Sequence, residues 1–355
     1  MMNRTYMKKL LLIGSNAGNA HLRNYLDLVR NYFDQVLVVS DHAVDFAPCE
    51  QVSFSLKNPF QVLKSIRQLK SILRDYQPSI IHVHQANSYA FITGKANVTK
   101  IPMVLTAWGS DVLMLPNKSP FHRWLVRKGL QSAQVLTADS MEMVDAIRKL
   151  GIKTEVVQAN FGVELELNTV PNIERPLVFY SNRMHEPLYR IDEIIEGMAE
   201  YFQSGDGELI IAGKGGMTKV LQEKVHALGI VHRVRFVGFI DVSQNQSFYS
   251  GSRFFLSIPK SDGTSISLLE AMAYGCIPIV SDLASNQEWI EDNVNGIILQ
   301  KGETLNDAIL RGLQLQVSDV INRNRRIIET KATKAVNALK FTIIYTAILR
   351  SATRV

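Results

Sequence analysis

Apolar residues along this chain occur in short continuous runs, separated by segments in which they recur at helical spacing. A run of four or five apolar residues predicts a buried strand, and recurrence every three or four positions predicts an amphipathic helix. In the first half, the predicted strands are Lys9–Ile13, Gln35–Val39, Ile80–Val83, Met103–Thr106, Ala133–Thr137 and Glu155–Gln158. In the second half, they are Leu177–Tyr180, Glu208–Ala212, Val234–Val237, Arg253–Ser257, Ile277–Val280 and Gly296–Leu299. Helical patterns between them include Ser140–Leu150, Ile191–Phe202 and Lys219–Leu228. This alternation predicts an α/β protein with a doubly wound parallel sheet in each half, and a ligand crevice at the carboxyl ends of the strands.

One segment interrupts the alternation. Ala159–Pro176 carries polar residues, Gly162 and two prolines, which are typical of a linker. We therefore expect a first domain over residues 1–160, a linker over 161–176, a second domain over 177–330 and a C-terminal segment over 331–355.

The composition agrees with a two-domain enzyme. The 355 residues are enough for two hydrophobic cores, and 46% hydrophobic with 20% charged residues is ordinary for a soluble protein. Cys49 and Cys276 form no metal or disulfide pattern, which favours a reducing, cytoplasmic compartment. No apolar run approaches 18 residues, and the run Leu10–Gly14 is too short for a signal peptide.

The segment SDGTSISLLEAMAYGCIPI, Ser261–Ile279, is the most informative about function. Asp262 and Glu270 flank a turn of small residues that opens an apolar helix. The start of a helix offers unpaired N–H groups and the positive end of the helix dipole, which suit an anion such as a phosphate. Asp262 would stand before the helix and Glu270 two turns into it. This layout predicts a sugar-nucleotide site, although a helix cap and a solvated helix residue would give the same letters.

The segment resembles the acidic pair, Glu-x7-Glu, of the retaining family-4 (group 1) glycosyltransferases, with Asp262 in place of the first Glu. The resemblance implies the GT-B fold: two Rossmann-like domains facing across a cleft, the last helix returning to the first domain. It implies that Asp262 lies near the donor sugar as a catalytic residue, and that Glu270 holds the ribose. The loop between them would bind the diphosphate, through Gly263, Thr264, Ser265 and Ile266.

The resemblance implies further donor contacts in the second half. The family has an Arg and, six residues later, a Lys on the leaving diphosphate; Arg183 matches the first, whereas Tyr189 stands at the Lys position beside Arg190. Cations fixed there would stabilise the charge of the leaving group, so Arg183 is the second catalytic candidate. The turn AGKGG resembles the family's A-G-x-G turn and implies that Gly213 and Lys214 border the nucleotide. The segment RFVGFI, Arg235–Ile240, resembles the strand end that meets the nucleobase, which implies a contact at Val237. Glu288, in SNQEWI, matches a structural acid and is left out of the site.

In the first half, the glycine loop IGSNAGNAHL follows the first strand and lacks the G-x-G-x-x-G spacing of a dinucleotide-binding turn. The resemblance makes Gly14, Ser15 and Asn16 donor contacts. Trp108, in TAWGSDVL, replaces the family's His; it could stack on a sugar or pack in the core. Asp111 could cap the following segment or bind acceptor hydroxyls. His84, at the end of a strand, is a third candidate for acceptor contact or a structural histidine.

The sequence predicts no metal and no cofactor, because it has no Asp-x-Asp pair, phosphate loop or His/Cys cluster. Residues 1–160 hold 19 Lys and Arg against 11 Asp and Glu, and residues 321–355 hold 8 against 1. Two segments with basic and apolar or aromatic residues, Val62–Arg74 and Lys118–Lys128, suit either an anionic membrane or a solvated face. Nucleic acid is not expected, since no binding motif accompanies the charge.

These features together predict a metal-independent, retaining glycosyltransferase for surface polysaccharide or glycolipid assembly. Its donor would be a nucleotide-diphosphate sugar, UDP-sugar favoured over GDP-sugar, and its acceptor a glycan or polyprenyl-linked glycan. Two alternatives stay open: a sugar-nucleotide epimerase of the same fold, and a non-catalytic nucleotide-sugar-binding subunit.

Overall fold

The computed structural model describes residues 7–15, 21–164 and 174–352. These residues divide into two compact units. One unit comprises the described residues of Met1–Phe161 and Lys334–Val355, and the other those of Gly162–Thr333. Each unit is built on one parallel sheet, as the alternation predicts. Asn16 and most of the expected linker, residues 165–173, lie outside the described residues.

The first unit has a seven-stranded sheet in the order β3-β2-β1-β4-β5-β6-β7. All neighbouring strands are parallel. The strands are β1 (Lys9–Ile13), β2 (Gln35–Ser40), β3 (Cys49–Gln51), β4 (Ile80–His84), β5 (Met103–Thr106), β6 (Val135–Ala138) and β7 (Glu155–Gln158). Six of them agree with the predicted strands to within two residues. The seventh, β3, is a short edge strand of partly exposed residues, so it lacks the apolar run that predicts a buried strand.

Helices cover both faces of this sheet. They are α1 (His21–Val29), α2 (Pro59–Tyr76), α3 (Ser88–Ala96), α4 (Pro120–Leu130), α5 (Met141–Lys149) and, from the far end of the chain, α13 (Lys334–Ala352). Along β1, Leu11 and Ile13 belong to the core beneath α2–α5, whereas Leu10 and Leu12 belong to the core with α1 and α13. The alternation follows from the period of two along a strand. Burial of Phe341 and Tyr345 in that second core holds the C-terminal helix on the first unit, as the fold class requires.

The second unit has a six-stranded parallel sheet in the order β10-β9-β8-β11-β12-β13. Its strands are β8 (Val178–Ser181), β9 (Glu208–Ala212), β10 (Val234–Gly238), β11 (Phe254–Ser257), β12 (Ile277–Ser281) and β13 (Ile297–Leu299). Its helices are α6 (Ile191–Tyr201), α7 (Thr218–Ala227), α8 (Val242–Gly251), α9 (Ile266–Ala273), α10 (Ala284–Gln287), α11 (Leu305–Leu313) and α12 (Val317–Ile327). The loops after β8, β9, β10 and β11 therefore meet at one edge of the sheet, where ligands bind in such folds.

Candidate active site

Helix α9 begins where the acidic segment predicts. The hydroxyl of Ser265 accepts the N–H of Leu268 at 3.3 Å, so Ser265 is the N-cap of the helix. Gly263 and Thr264, just before it, are buried together with Ser265. The small side chains let an anion approach the loop backbone closely, and the positive end of the helix dipole favours an anion there.

The guanidinium of Arg183 reaches this helix end from the loop after β8. It donates to a carboxylate oxygen of Asp262 and to the hydroxyl of Ser265, both at 2.5 Å. Arg183 is only 9% exposed, and the side chain of Asp262 is 23% exposed. Burial of this kind raises the cost of removing one partner well above that of a surface ion pair. A cation, a carboxylate and a helix N-terminus therefore converge on one point.

Tyr189 flanks the same cation. Its ring centroid lies 4.5 Å from the guanidinium carbon of Arg183. Arg190, the next residue, is directed elsewhere, because its guanidinium contacts Glu193 and the carbonyl of Ile258. Among the residues the structure describes, Arg183 is thus the guanidinium that bonds the start of α9, and Tyr189 supports it rather than adding a charge.

Glu270 is held by a polar network that the sequence did not reveal. Its carboxylate accepts from the hydroxyl of Tyr249 at 3.1 Å and from the amide of Asn245 at 3.3 Å. Asn182 donates to both of these partners, at 2.7 and 3.0 Å. Burial, with the nearby Glu270 charge, raises the pKa of Tyr249 well above its ordinary value, so its hydroxyl keeps its proton to donate. The network fixes one side of the carboxylate.

The glycine turn after β9 packs tightly on the Arg183 loop. Gly213 has φ +106°, and a Cβ there would lie 2.6 Å from the carbonyl oxygen of Arg183. A Cβ on Gly215 would lie 2.5 Å from the carbonyl oxygen of His185. Only glycine fits such approaches. Lys214 is exposed between them, and Val237 is half-buried at the end of β10, so both stand at the same sheet edge as Arg183.

Two side chains from the SNQEWI segment support the acidic loop. Ser285 donates its hydroxyl to the carbonyl of Asp262 at 2.9 Å, and the indole of Trp289 donates to the hydroxyl of Thr264 at 3.4 Å. Neither was a predicted site residue. Each supports the acidic loop by a hydrogen bond between segments that are distant in the chain.

In the first unit, the predicted residues gather at the carboxyl ends of β1, β4 and β5. Gly14 follows β1, and a Cβ there would lie 2.8 Å from Leu22 and 3.1 Å from the Cβ of His84. Ser15, the next residue, is half-buried. The indole of Trp108 donates to Nδ1 of His84 at 3.4 Å. Burial lowers the pKa of His84 to about 3, so the ring is neutral at physiological pH. Because Nδ1 accepts the indole N–H of Trp108, the ring proton is on Nε2.

Asp111 holds the loop that contains Trp108. One carboxylate oxygen accepts the N–H of Trp108 at 2.8 Å, and the other accepts the N–H of Ala86. Burial raises the pKa of this carboxyl to about 7. Asp111 lies inside the short helix Ser110–Met114 rather than before it, so it is not the N-cap of that helix. Its buried oxygens hold the backbone of Trp108 and Ala86, and contact with acceptor hydroxyls stays a prediction.

Within residues 7–15, 21–164 and 174–352, no three His, Cys, Asp or Glu side chains are grouped so that they could hold a metal ion. None of the helices there is both long and apolar enough to cross a membrane.

Two family descriptions match the sequence in succession. "Glycosyl transferase 4-like" matches residues 9–140, and "Glycosyl transferases group 1" matches residues 168–334. The chain therefore belongs to the group 1 glycosyltransferases of the GT-B fold.

Curated relatives share modest identity. An uncharacterized glycosyltransferase of Methanocaldococcus jannaschii is 30% identical over 129 residues, which cover 36% of this chain and 33% of that protein. The alpha-monoglucosyldiacylglycerol synthase of Streptococcus pneumoniae is 23% identical over 289 residues, 73% of this chain and 64% of that protein. The chain thus spans between a third and two thirds of the length of these relatives.

Solved structures share the fold over nearly the whole chain. A glycosyltransferase from Rickettsia africae superimposes with a TM-score of 0.81 at 14% identity, covering 97% of this chain and 99% of that one. HepE of Anabaena, in complex with UDP-glucose, superimposes with a TM-score of 0.78 at 16% identity, covering 96% and 99%.

Proposed function

We propose that this protein is a metal-independent, retaining glycosyltransferase that takes its sugar from a nucleotide-diphosphate donor. The observation that carries the proposal is the convergence of Arg183 and Asp262 on the N-terminus of α9, with Glu270 further along the same helix. A cation and a helix end suit a diphosphate, and a carboxylate suits ribose hydroxyls.

The chemistry follows from the charges. When the bond between the sugar and the diphosphate breaks, the diphosphate takes the electron pair and gains negative charge. Arg183 and the N–H groups that open α9 would stabilise that charge without a metal ion. Asp262 would stand by the sugar, where a carboxylate stabilises positive charge developing at the reacting carbon. The acceptor hydroxyl would bond to that carbon and pass its proton to an oxygen of the departing diphosphate.

UDP-sugar is the favoured donor class. HepE, a relative in fold, is known in complexes with UDP and with UDP-glucose. The names of two curated relatives support an acceptor that is a glycan or carries a lipid. They are the alpha-monoglucosyldiacylglycerol synthase of Streptococcus pneumoniae and a putative teichuronic acid biosynthesis glycosyltransferase of Bacillus subtilis. We extend this to a polyprenyl-linked or similar acceptor used in surface polysaccharide or glycolipid assembly.

A membrane-facing surface belongs to the same proposal. On α4, Phe121 is 55% exposed and Trp124 46% exposed, and their rings stack at 6.0 Å between centroids. Arg123, Arg127 and Lys128 are on the same helix. Exposed aromatic rings among basic side chains suit the headgroup region of an anionic bilayer, and they support a peripheral location at the cytoplasmic face of the membrane.

Thermal stability with added sugar nucleotides tests the donor. A ligand present at 100 times its dissociation constant stabilises the folded state by about 2.7 kcal/mol. UDP-sugars should raise the melting temperature more than GDP- or ADP-sugars. Stabilisation by none of them, or by all equally, would contradict a specific nucleotide-sugar site.

A further inference from the structure

A large cavity opens in the first unit at the end of the sheet opposite to Gly14, His84 and Trp108. It has a volume of about 1660 Å³ and is lined by Lys9 and Ser79, next to the starts of β1 and β4, and by Pro102, just before β5. Five-residue β1 separates the two edges by about 16 Å, at 3.3 Å per residue. Neither the acidic loop nor the other predicted donor residues line this cavity, so it is separate from the predicted donor site.

Six cations stand around the cavity. They come from the start of β1, from the last turns of α2 and from the end of α13: Lys8, Lys9, Arg67, Lys70, Arg74 and Arg350. No Asp or Glu is among the described lining residues. Asp75, beside the cavity, pairs with Arg74 at 2.9 Å, whereas Arg67 and Lys70 make no ion pair within the described part of the chain. The rim therefore carries an excess of positive charge.

Aromatic rings and a carbonyl position two of these cations. The ammonium of Lys8 lies 4.2 Å from the ring centroid of Tyr32, which also lines the cavity. The ammonium of Lys9 donates to the carbonyl of Tyr76 at 3.3 Å. Contacts of this kind hold a lysine in place and leave further N–H groups to donate.

Between the cations, apolar side chains share the lining with small polar ones such as Ser71, Thr99 and Thr346. Leu73, Pro78, Val98, Ile101 and Leu349 all contribute, and Val98 is 64% exposed. A cavity of this size exceeds the roughly 300–1,000 Å³ typical of sites for drug-sized ligands. A free phosphate would use the cations and leave the apolar surface in water, whereas an anionic lipid would use both.

We propose that this cavity binds one anionic phospholipid, its phosphate on the basic rim and the first part of an acyl chain on the apolar lining. Such a site would attach the first unit to an anionic membrane through a single lipid molecule. It does not rest on the proposed transferase activity, because neither donor nor acceptor takes part.

Titration calorimetry tests the site with dihexanoyl phosphatidylglycerol, kept below the concentration at which it forms micelles. Dihexanoyl phosphatidylcholine and inorganic phosphate are the comparison ligands. We expect saturable binding of one phosphatidylglycerol per chain. Each buried methylene adds about fourfold in affinity, so phosphatidylglycerol should bind more than about tenfold tighter than inorganic phosphate. Phosphatidylcholine, without net charge, should bind weakly.

Two double variants on α2 form a matched pair. Arg67→Gln with Lys70→Gln removes two rim charges, at about fivefold each, and should weaken phosphatidylglycerol binding by about 30-fold. Lys57→Gln with Lys64→Gln removes the same charge from exposed positions in and just before the helix that do not line the cavity, and should change nothing. All four side chains are exposed, so both variants should melt at the parent temperature.

A third variant tests the apolar lining. Val98→Ser should weaken phosphatidylglycerol binding several-fold and leave phosphate binding unchanged. Absence of saturable binding, equal loss in the two double variants, or equal affinity for phosphate and phosphatidylglycerol would each overturn the proposal. Because no sugar nucleotide is present, none of these results bears on transfer activity.

Discussion

Replacing Arg183 should impair turnover far more than it impairs folding. Arg183 is 9% exposed, and its guanidinium bonds Asp262 and Ser265 at the start of α9, where the diphosphate would lie. Loss of one donor that stabilises charge in the transition state costs about 10²–10³ in kcat, equivalent to about 2.7–4 kcal/mol. We therefore expect Arg183→Ala to lower the rate of UDP release from a UDP-sugar by about 10²-fold or more.

The structure also predicts a cost in stability, which must be separated from the cost in turnover. Breaking a fully buried ion pair costs about 3–5 kcal/mol, but Asp262 is 23% exposed and can be partly solvated, so the loss should be smaller. Thermal unfolding measures it. Arg183→Ala combined with Asp262→Ala removes both charges and should recover part of the stability without recovering turnover.

Tyr189→Phe is the matched control, because its ring flanks the same guanidinium. The change removes only a neutral hydroxyl and should raise the activation free energy of turnover by on the order of 1 kcal/mol. Tyr189→Lys restores the residue usual in the family and should keep or raise activity if the space allows it. A folded Arg183→Ala variant that retains kcat within about tenfold of the parent would contradict the catalytic role of Arg183, as would equal damage from Tyr189→Phe.

Further predictions concern the acidic pair, metal and the membrane face. In a calorimetric titration with UDP-sugar, Glu270→Gln should weaken binding by about 1.5–3 kcal/mol. Tyr249→Phe removes one hydrogen-bond donor to Glu270 and should weaken binding by about 1 kcal/mol. Unchanged affinity in both variants would show that Glu270 does not bind the donor. Asp262→Asn should reduce turnover more than donor binding, and parent kinetics in that variant would contradict its catalytic role. Turnover should survive excess EDTA, and a complete loss restored by Mg²⁺ or Mn²⁺ would require a metal mechanism instead. Reversing the charges of Arg123, Arg127 and Lys128 should weaken binding to anionic vesicles by about 1 kcal/mol per residue, measured by co-sedimentation. The same reversal at Arg148, Lys149 and Lys153 is the control. Equal effects of the two triple variants would show that α4 is an ordinary solvated helix.

The strand pattern could be predicted from sequence because buried parallel strands need continuous apolar runs. Edge strand β3 escaped, since three partly exposed residues leave no such signal. In the candidate site, the start of α9 could be predicted from local chemistry, because Ser265 and the apolar run after it are adjacent in the chain.

Contacts between distant segments could not be predicted in this way. Asn245 and Tyr249 contact Glu270, and Asn182 contacts both of them, only because the end of β8, α8 and α9 are neighbours in the fold. Nothing in their own segments marks these residues. Similarly, the sequence around Asp111 is compatible with a cap or with a ligand contact. The structure alone shows that its carboxylate is buried and holds the backbone of both Trp108 and Ala86.

The most direct test of the central claim is proton NMR of the purified protein with UDP-glucose, UDP-galactose or UDP-N-acetylglucosamine, in excess EDTA, with water as the acceptor. We expect release of UDP, with the α anomer of the free sugar appearing before its mutarotation, and near-complete loss of both signals in Arg183→Ala. The β anomer appearing first would contradict retention. An epimerised UDP-sugar without UDP release, or UDP release that Arg183→Ala leaves unchanged, would contradict the site itself.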